Sequence, residues 1–460
     1  MTSSPTGCTI GEAEEFLAAH PGIEAVDLIL TDANGIGRGK IIRRHELPAA
    51  FAEGRNLPCS ILGLDVCGDD VHETGLTWER GDEDQRAWPV PGTLKPIAGT
   101  KPPRAQVLMN CFEQDGTPAG ADPRLALLRQ TERFTARGLK AAGAFELEFY
   151  LFDAAPGPDG RPVPARGLNG GRQAHGTQVY TVDELNVMEP VFTDIYAMAA
   201  AQDIPLETMI SEFAAGQYEL TLHYRNDVLT AADDLVMLKR IVRHAARRHG
   251  LTACFMAKPF GDKTGSGMHF HVSAWDRHGN IFTEKPGGTW SPALLHAIGG
   301  LAATMPESML VFAPHANSWR RFASASYAPV STSWGVNNRS VALRVPASGP
   351  KARRIEHRPS GVDANPYLVA ATVLAGILKG LDESLDPGPE VTGNGYEARP
   401  NPAMPSDWRS AIEAAKASGF LKDALGEAMH HAFCAIKQAE YLRVASTVPD
   451  IDYGLYLHAV

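Results

Sequence analysis

The sequence has no C-x-x-C pair and no regular spacing among its six cysteines, Cys8, Cys59, Cys67, Cys111, Cys254 and Cys434. That excludes a thiolate metal knuckle and a disulfide framework, and leaves free thiols in a reducing cytoplasm as the expectation. A basic balance is missing too. With 53 acidic against 43 basic residues the formal charge is −10, which argues against a nucleic-acid partner. No apolar run is read as approaching a membrane span, and the polar N-terminus does not read as a signal peptide, so no membrane association is expected. There is no internal repeat and no low-complexity tract. What is present, 44% hydrophobic and 21% charged over 460 residues, is ordinary globular chain, long enough for two domains or for one large and one small.

The richest stretch is Lys258 to Ser273, where a glycine-broken loop runs into Gly265-Ser266-Gly267-Met268-His269-Phe270-His271-Val272-Ser273. Residues two apart on a strand share a face, so His269 and His271 point the same way beside a loop whose backbone N–H groups can approach an anion. One imidazole suits a metal and the other a phosphate; an isolated pair of this kind is otherwise a solvated strand face. The same spacing recurs. Phe145 to Phe152 reads as a strand carrying Glu146 and Glu148 on one face, and Arg354-Ile355-Glu356-His357-Arg358 sets a carboxylate between two guanidinium groups. Glu212 and Glu219 are an odd number of residues apart, so a regular strand would separate them. The Ala214-Ala215-Gly216-Gln217 interior predicts a turn or bulge that lets them converge. Carboxylates gathered in this way ask for cations, and an oxygen-rich set with one or two imidazoles and no cysteine suits Mg²⁺ or Mn²⁺ better than zinc.

Taken in order, residues 1–19 read as an arm or helix, with Thr9 capping Ile10 to Ala19. Residues 20–114 read as a small, mostly sheet domain. Its strands are expected at Ala25–Asp32, Arg38–Arg43, Ser60–Val66 and Gln106–Phe112, with a loop over Gly68–Pro103. A turn cluster near Gln114 to Pro118 marks the boundary of a second domain, 118–460. Helices are expected at Pro123–Gly138, Pro190–Asp203, Ala231–His249, Ser291–Glu307, Pro366–Asp382, Ser406–Ala417 and Ala424–Leu442, and a surface loop over Ala155–His175. Strands and helices mix without strict alternation, so the class is α+β.

The set E-x-E, S-E-x-x-x-G-Q-x-E, G-S-G-M-H-x-H, N-R-S and R-R-I-E-x-R, in this order, resembles the glutamine synthetase family from about residue 20 to the C-terminus. The resemblance implies a β-grasp-like N-terminal domain and a large catalytic domain built on an antiparallel sheet with helices. It implies an ATP-dependent ligase that phosphorylates the γ-carboxylate of L-glutamate and lets an amine displace phosphate, with two or three Mg²⁺ or Mn²⁺ ions per site. By motif position, Glu148, Glu212 and Glu219 would hold one metal, and Glu146, His269 and Glu356 another. Glu207, His271, Ser273, Lys351 and Arg354 would meet ATP, while Arg339 and Arg344 would face phosphates, Arg339 as a catalytic residue. Gly265, Arg321 and Arg358 would meet glutamate. The family's assembly, stacked hexameric rings in which one subunit's small domain closes its neighbour's site, implies a large homo-oligomer.

Two departures bear on the second substrate. Family members that use ammonia carry an Asp in the small domain and a Glu on a flap; here Leu57 and Tyr327 stand in those places, and Thr264 replaces an Asn. The resemblance is therefore to the branch acting on organic amines: polyamines such as putrescine, ethanolamine, alkylamines or arylamines. Authentic glutamine synthesis from ammonia is the alternative, and a non-catalytic nucleotide-binding relative a distant third. Asp65, Asp69 and Asp70 are available to a diamine's far end, or are solvated loop residues.

Overall fold

The computed structural model describes residues 4–168, 179–284, 287–323, 326–397 and 401–460. Part of the Ala155–His175 surface loop, and Ser324 and Ala325 of the flap stretch, lie outside them. Among the described residues the N-terminal sheet has six strands: β1 (Ala25–Thr31), β2 (Gly37–Arg43), β3 (Arg55–Pro58), β4 (Asp84–Pro89), β5 (Lys95–Ile97) and β6 (Arg104–Phe112). Their order is β2-β1-β6-β4-β3, with β5 also on β6 and a parallel β1–β6 pair inside an otherwise antiparallel sheet. The first helix, Ile10–Ala19, begins where Thr9 accepts a hydrogen bond from the Glu12 amide, as its N-cap position predicts.

The second sheet has nine strands among the described residues: β7 (Lys140–Asp153), β8 (Leu206–Ser211), β9 (Gln217–Leu222), β10 (Leu251–Cys254), β11 (Phe270–Asp276), β12 (Gly279–Asn280), β13 (Trp334–Val336), β14 (Leu343–Val345) and β15 (Ile355–His357). The long β7 sits near its middle, in the order β13-β14-β15-β11-β7-β9-β8. Only β13 and β14 run parallel, so the expected antiparallel sheet holds apart from that edge. Helices Val228–Arg248, Pro292–Phe312 and Pro366–Glu383 bury their apolar faces in a continuous core with the inner residues of β7, among them Phe145, Leu147, Phe149 and Leu151. The opposite parity of β7, Glu146 and Glu148, is thereby left to the open face.

Several expectations fail for local reasons. Ser60–Val66 is not a strand. Cys59–Leu62 is a short 3₁₀ turn, and the Asp65 carboxylate accepts from the amides of Cys67 and Asp69, which folds the following loop on itself. The Gly68–Pro103 loop contains β4 and β5, which exist because β3 and β6 offer them ladders. The helix expected over Ala424–Leu442 is broken at Gly426 (φ +81°) into Gly419–Leu425 and Glu427–Ser446. The expected absence of a membrane-length run is also corrected: Pro292–Phe312 is long and apolar enough to cross a membrane. However, 72% of that window is buried against the protein, as a core helix would be.

Candidate active site

Sheet register brings the site together. Glu148 lies directly opposite Glu219 on β9, and His271 opposite Glu356 on β15. The Glu146 amide donates to the His269 carbonyl at 3.0 Å. Both imidazoles then converge on one carboxylate: His269 Nδ1 is 2.8 Å from Glu146 Oε2, and His271 Nε2 is 2.8 Å from Glu146 Oε1. Glu212 reaches the same space through a turn, as its spacing predicts. Gly216 has φ +72°, and a Cβ there would meet the Leu151 carbonyl at 2.8 Å, so only glycine fits the turn. Gly267 brings its backbone to the site's edge, its amide donating to Glu148 Oε2 at 2.7 Å.

Two triads have ligand atoms close enough to share an ion: Glu146 with His269 and Glu356, and Glu148 with Glu219 and His269. The first matches the set implied by the motifs. In the second, His269 stands where Glu212 is implied, although Glu212 lines the same cavity. The charges divide the carboxylates. Burial would raise Glu146 and Glu356, but His271, His269 and, for Glu356, Arg358 outweigh it, holding Glu146 well below its ordinary value and Glu356 at about 2. Burial raises Glu219 well above its ordinary value, and the neighbouring Glu146, Glu148, Glu212 and Glu356 push it further. Glu212 is pushed up to about 7 by burial and Glu148. An excess of buried carboxylate with too little positive charge among it is a donor set for hard divalent cations, and the residues fit that group.

Two cavities meet at this carboxylate cluster. One, of about 650 Å³, is lined by Glu207, His271, Ser273, Lys351 and Arg354, five of the six residues implied for the nucleotide, Arg344 being the sixth. Its more open apolar lining includes Trp275 and Tyr224, a surface a nucleobase could cover. Within it Arg354 Nε donates to His271 Nδ1 at 3.1 Å, and Glu207 is 2.6 Å from His223. The second, of about 270 Å³, holds Glu148, Glu212, Glu219, Thr264, Gly265, Arg321, Arg339 and Arg358. Glu146 lines both.

The guanidinium groups differ in availability. Arg321 is 4% exposed and donates only to the carbonyls of Pro359 and Arg358, with no ion pair among the described residues. Arg339 is exposed at the second cavity and is likewise without an ion pair among them. Arg358 and Arg344 instead grip Glu356 from both sides, Arg344 at 2.6 Å. Arg344 lines neither cavity, a correction to its placement at the phosphates. Arg358 reaches the second cavity with its charge already engaged.

Leu57 is the clear miss. It lies on β3 with 2% exposure and packs in the N-terminal core, so it faces no cavity; its neighbour Asn56 is the residue turned to solvent. The placement rests on a motif match, and β3, which decides which side of residue 57 faces the core, is not among the expected strands. Leu57→Asp is consequently expected to place an unpaired carboxylate in that core and cost roughly 3 kcal/mol or more of stability. A lowered thermal midpoint, with no gain in ammonium use, is the result a melt and an assay should return. Asp65 and Asp69 are not free either, since both pair with Arg443, Asp65 at 2.8 Å. Two further lining residues, Phe213 and Tyr180, escaped notice because each is a lone aromatic in a loop without periodicity.

The sequence profile described as "Glutamine synthetase, catalytic domain" matches residues 120–456. The chain is 38% identical over 443 residues to gamma-glutamylputrescine synthetase PuuA of Escherichia coli K12, covering 96% of this chain and 93% of that one. It is 31% identical over 408 residues to the glutamate–isopropylamine ligase of a Pseudomonas species, covering 86% and 85%. Among solved structures, a GmaS/ADP complex superposes with a TM-score of 0.83 at 27% identity, over 96% of this chain and 98% of that chain.

Proposed function

Because the chain belongs to the glutamine synthetase family, we propose that it joins the γ-carboxylate of L-glutamate to an organic primary amine, driven by ATP through γ-glutamyl phosphate. A carboxylate is a poor acyl donor, since its leaving group would be oxide. Transfer of the γ-phosphoryl group of ATP to a carboxylate oxygen creates a leaving group. The amine nitrogen then attacks the acyl carbon, phosphate departs and the nitrogen loses a proton. The divalent cations, Mg²⁺ or Mn²⁺, supply charge neutralisation on the phosphoryl oxygens when bound.

The chain's own residues have distinct parts in this reading. Glu146, Glu148, Glu212, Glu219, His269 and Glu356 hold the cations. His271, Ser273, Glu207, Lys351 and Arg354 hold ATP in the larger cavity. Arg321, buried and without an anionic partner, takes a carboxylate of glutamate beside Gly265, and Arg339 faces the transferring phosphoryl group. Arg344 and Arg358 orient Glu356.

The observation that carries the choice of an organic amine over ammonia is the lining of the smaller cavity. Each of its carboxylates, Glu146, Glu148, Glu212 and Glu219, belongs to the cation set, and the rim position carries the neutral Tyr327. Among the described residues lining it from this chain, none is left over as counter-ion or base for ammonium. Supplying ammonium, putrescine, ethanolamine, isopropylamine and aniline in turn with ATP and glutamate tests it through phosphate release. At least one amine should exceed ammonium by about tenfold in kcat/KM. Ammonium as the best substrate would sink the reading and restore glutamine synthesis. The cytoplasm as compartment and stacked hexameric rings as assembly complete the proposal, the rings to be checked by light scattering of the purified chain.

A further inference from the structure

Building on the reading that Arg321 takes a carboxylate of glutamate, we propose that Lys239 is a positioning residue for that substrate. From within the core it fixes the backbone segment 358–363, which holds Arg321 and the loop Gly265–Met268 in place.

Lys239 stands where an apolar residue is expected. It falls on the buried stripe Leu235, Val242 and Ala246 of the helix Val228–Arg248 and is itself 8% exposed. Its ammonium lies 5.9 Å from the centroid of the Phe255 ring and has no ion pair among the described residues. Burial, helped by Arg243, holds it down to about 7 against the pull of Asp363. Charged or neutral it remains a donor, and Nζ donates to the Val362 carbonyl at 2.6 Å. A lysine buried without a counter-ion costs stability that Leu or Met at the same place would not. A role in the site, rather than in the core, accounts for it.

The segment it grips carries the geometry of the smaller cavity. Arg321 donates to the carbonyls of Pro359 at 2.8 Å and Arg358 at 3.4 Å. The Met268 amide donates to the Ser360 carbonyl at 2.9 Å and the Val362 amide to the Ser266 carbonyl at 3.1 Å, while Gly267 bridges Gly361. One stretch of backbone therefore holds the guanidinium on one side and the loop on the other. Little slack separates them: a Cβ at Gly265 would meet the Ala257 carbonyl at 2.6 Å and Arg321 Cγ at 2.9 Å. A displacement of Val362 is thus passed to the loop and to Arg321. Asp363, next in the chain, accepts from Ser318 Oγ at 2.6 Å, three residues before Arg321.

The test compares Lys239→Met, Lys239→Gln and Lys239→Arg with wild type, with KM for glutamate and for ATP measured separately beside the thermal midpoint. Lys239→Met removes the donor and should raise KM for glutamate about tenfold. KM for ATP should stay within about twofold, since residues 358–363 do not line the nucleotide cavity. Lys239→Gln, one bond too short to reach the carbonyl, carries the same expectation if Lys239→Met fails to fold. Lys239→Arg keeps a donor and can lie over the Phe255 face, so its KM for glutamate should return to within about threefold of wild type. An unchanged KM for glutamate in Lys239→Met and Lys239→Gln overturns the proposal, as does an equal rise in both KM values. So does loss of folding in both variants, which would make the lysine a strut of the core, and so does a folded Lys239→Arg that restores nothing. Failure of the underlying reading looks different: wild type would then release no phosphate in response to glutamate with any amine or with ammonium.

Discussion

Glu148→Ala and Glu219→Ala should each lower turnover by at least about a hundredfold, with the fold intact. The two residues are direct partners across β7 and β9, and their ligand atoms lie with that of His269 within reach of one ion. Removing either leaves that triad one donor short. Calorimetric titration with Mn²⁺ should show one class of site lost; near-normal activity with normal Mn²⁺ binding would remove these residues from the site. Stability should move the other way when the cations are chelated. Glu219 has a folded pKa raised well above its ordinary value, so the folded chain binds this proton more tightly than the unfolded chain does. The associated stabilisation is full below the unfolded value and is lost as pH rises through the folded one. In chelator, Glu219→Gln should therefore melt higher than wild type at pH 8, by about 2 °C or more. That advantage should shrink towards pH 5, and Mn²⁺ should reverse the order. A pH-independent difference would show that the carboxylate is not held against its own charge.

The second large effect is a split between two arginines. Arg321→Ala should raise KM for glutamate by about a hundredfold, because a buried guanidinium that donates to backbone carbonyls and forms no ion pair among the described residues is positioned for an anion. Arg339→Ala should leave KM for ATP within a few-fold and lower kcat by about a hundredfold or more, since in the proposed reading an exposed cation without an ion pair among the described residues contributes mainly as charge moves to the phosphoryl oxygens. Steady-state kinetics with glutamate and ATP varied separately check both. If the two variants showed the same pattern, the assignment of one arginine to binding and the other to transfer would be wrong.

Much of the site was legible because it sits on strands. Glu146 with Glu148, and His269 with His271, declare a shared face by their spacing, and the structure brings all four to one cluster. The Glu212 turn was legible from one glycine in an odd interval. Arg344, Arg354 and Arg358 were legible as basic residues but not as to what each one holds. Arg344 and Arg358 are taken up by Glu356 and Arg354 turns to His271, and only the pairing of β14, β15 and β11 decides that. Leu57 failed for the opposite reason: a motif match across a variable loop carries no information about which side of a strand faces the core.

The sequence by itself determined the α+β class, the carboxylate and imidazole set and the oxygen-rich character of the candidate cation site. These are local properties, set by residue type and by a period of two along the chain. Tertiary structure alone decided that β4 and β5 exist, that Leu57 lies inside, and that Arg321 has no ion pair among the described residues while Arg358 has one. It alone decided that Phe213, Tyr327 and Tyr180, far apart in sequence, share one rim. Each of those depends on which distant segment supplies the hydrogen bonds, the buried neighbour or the opposite charge, and that is settled only when the whole chain packs.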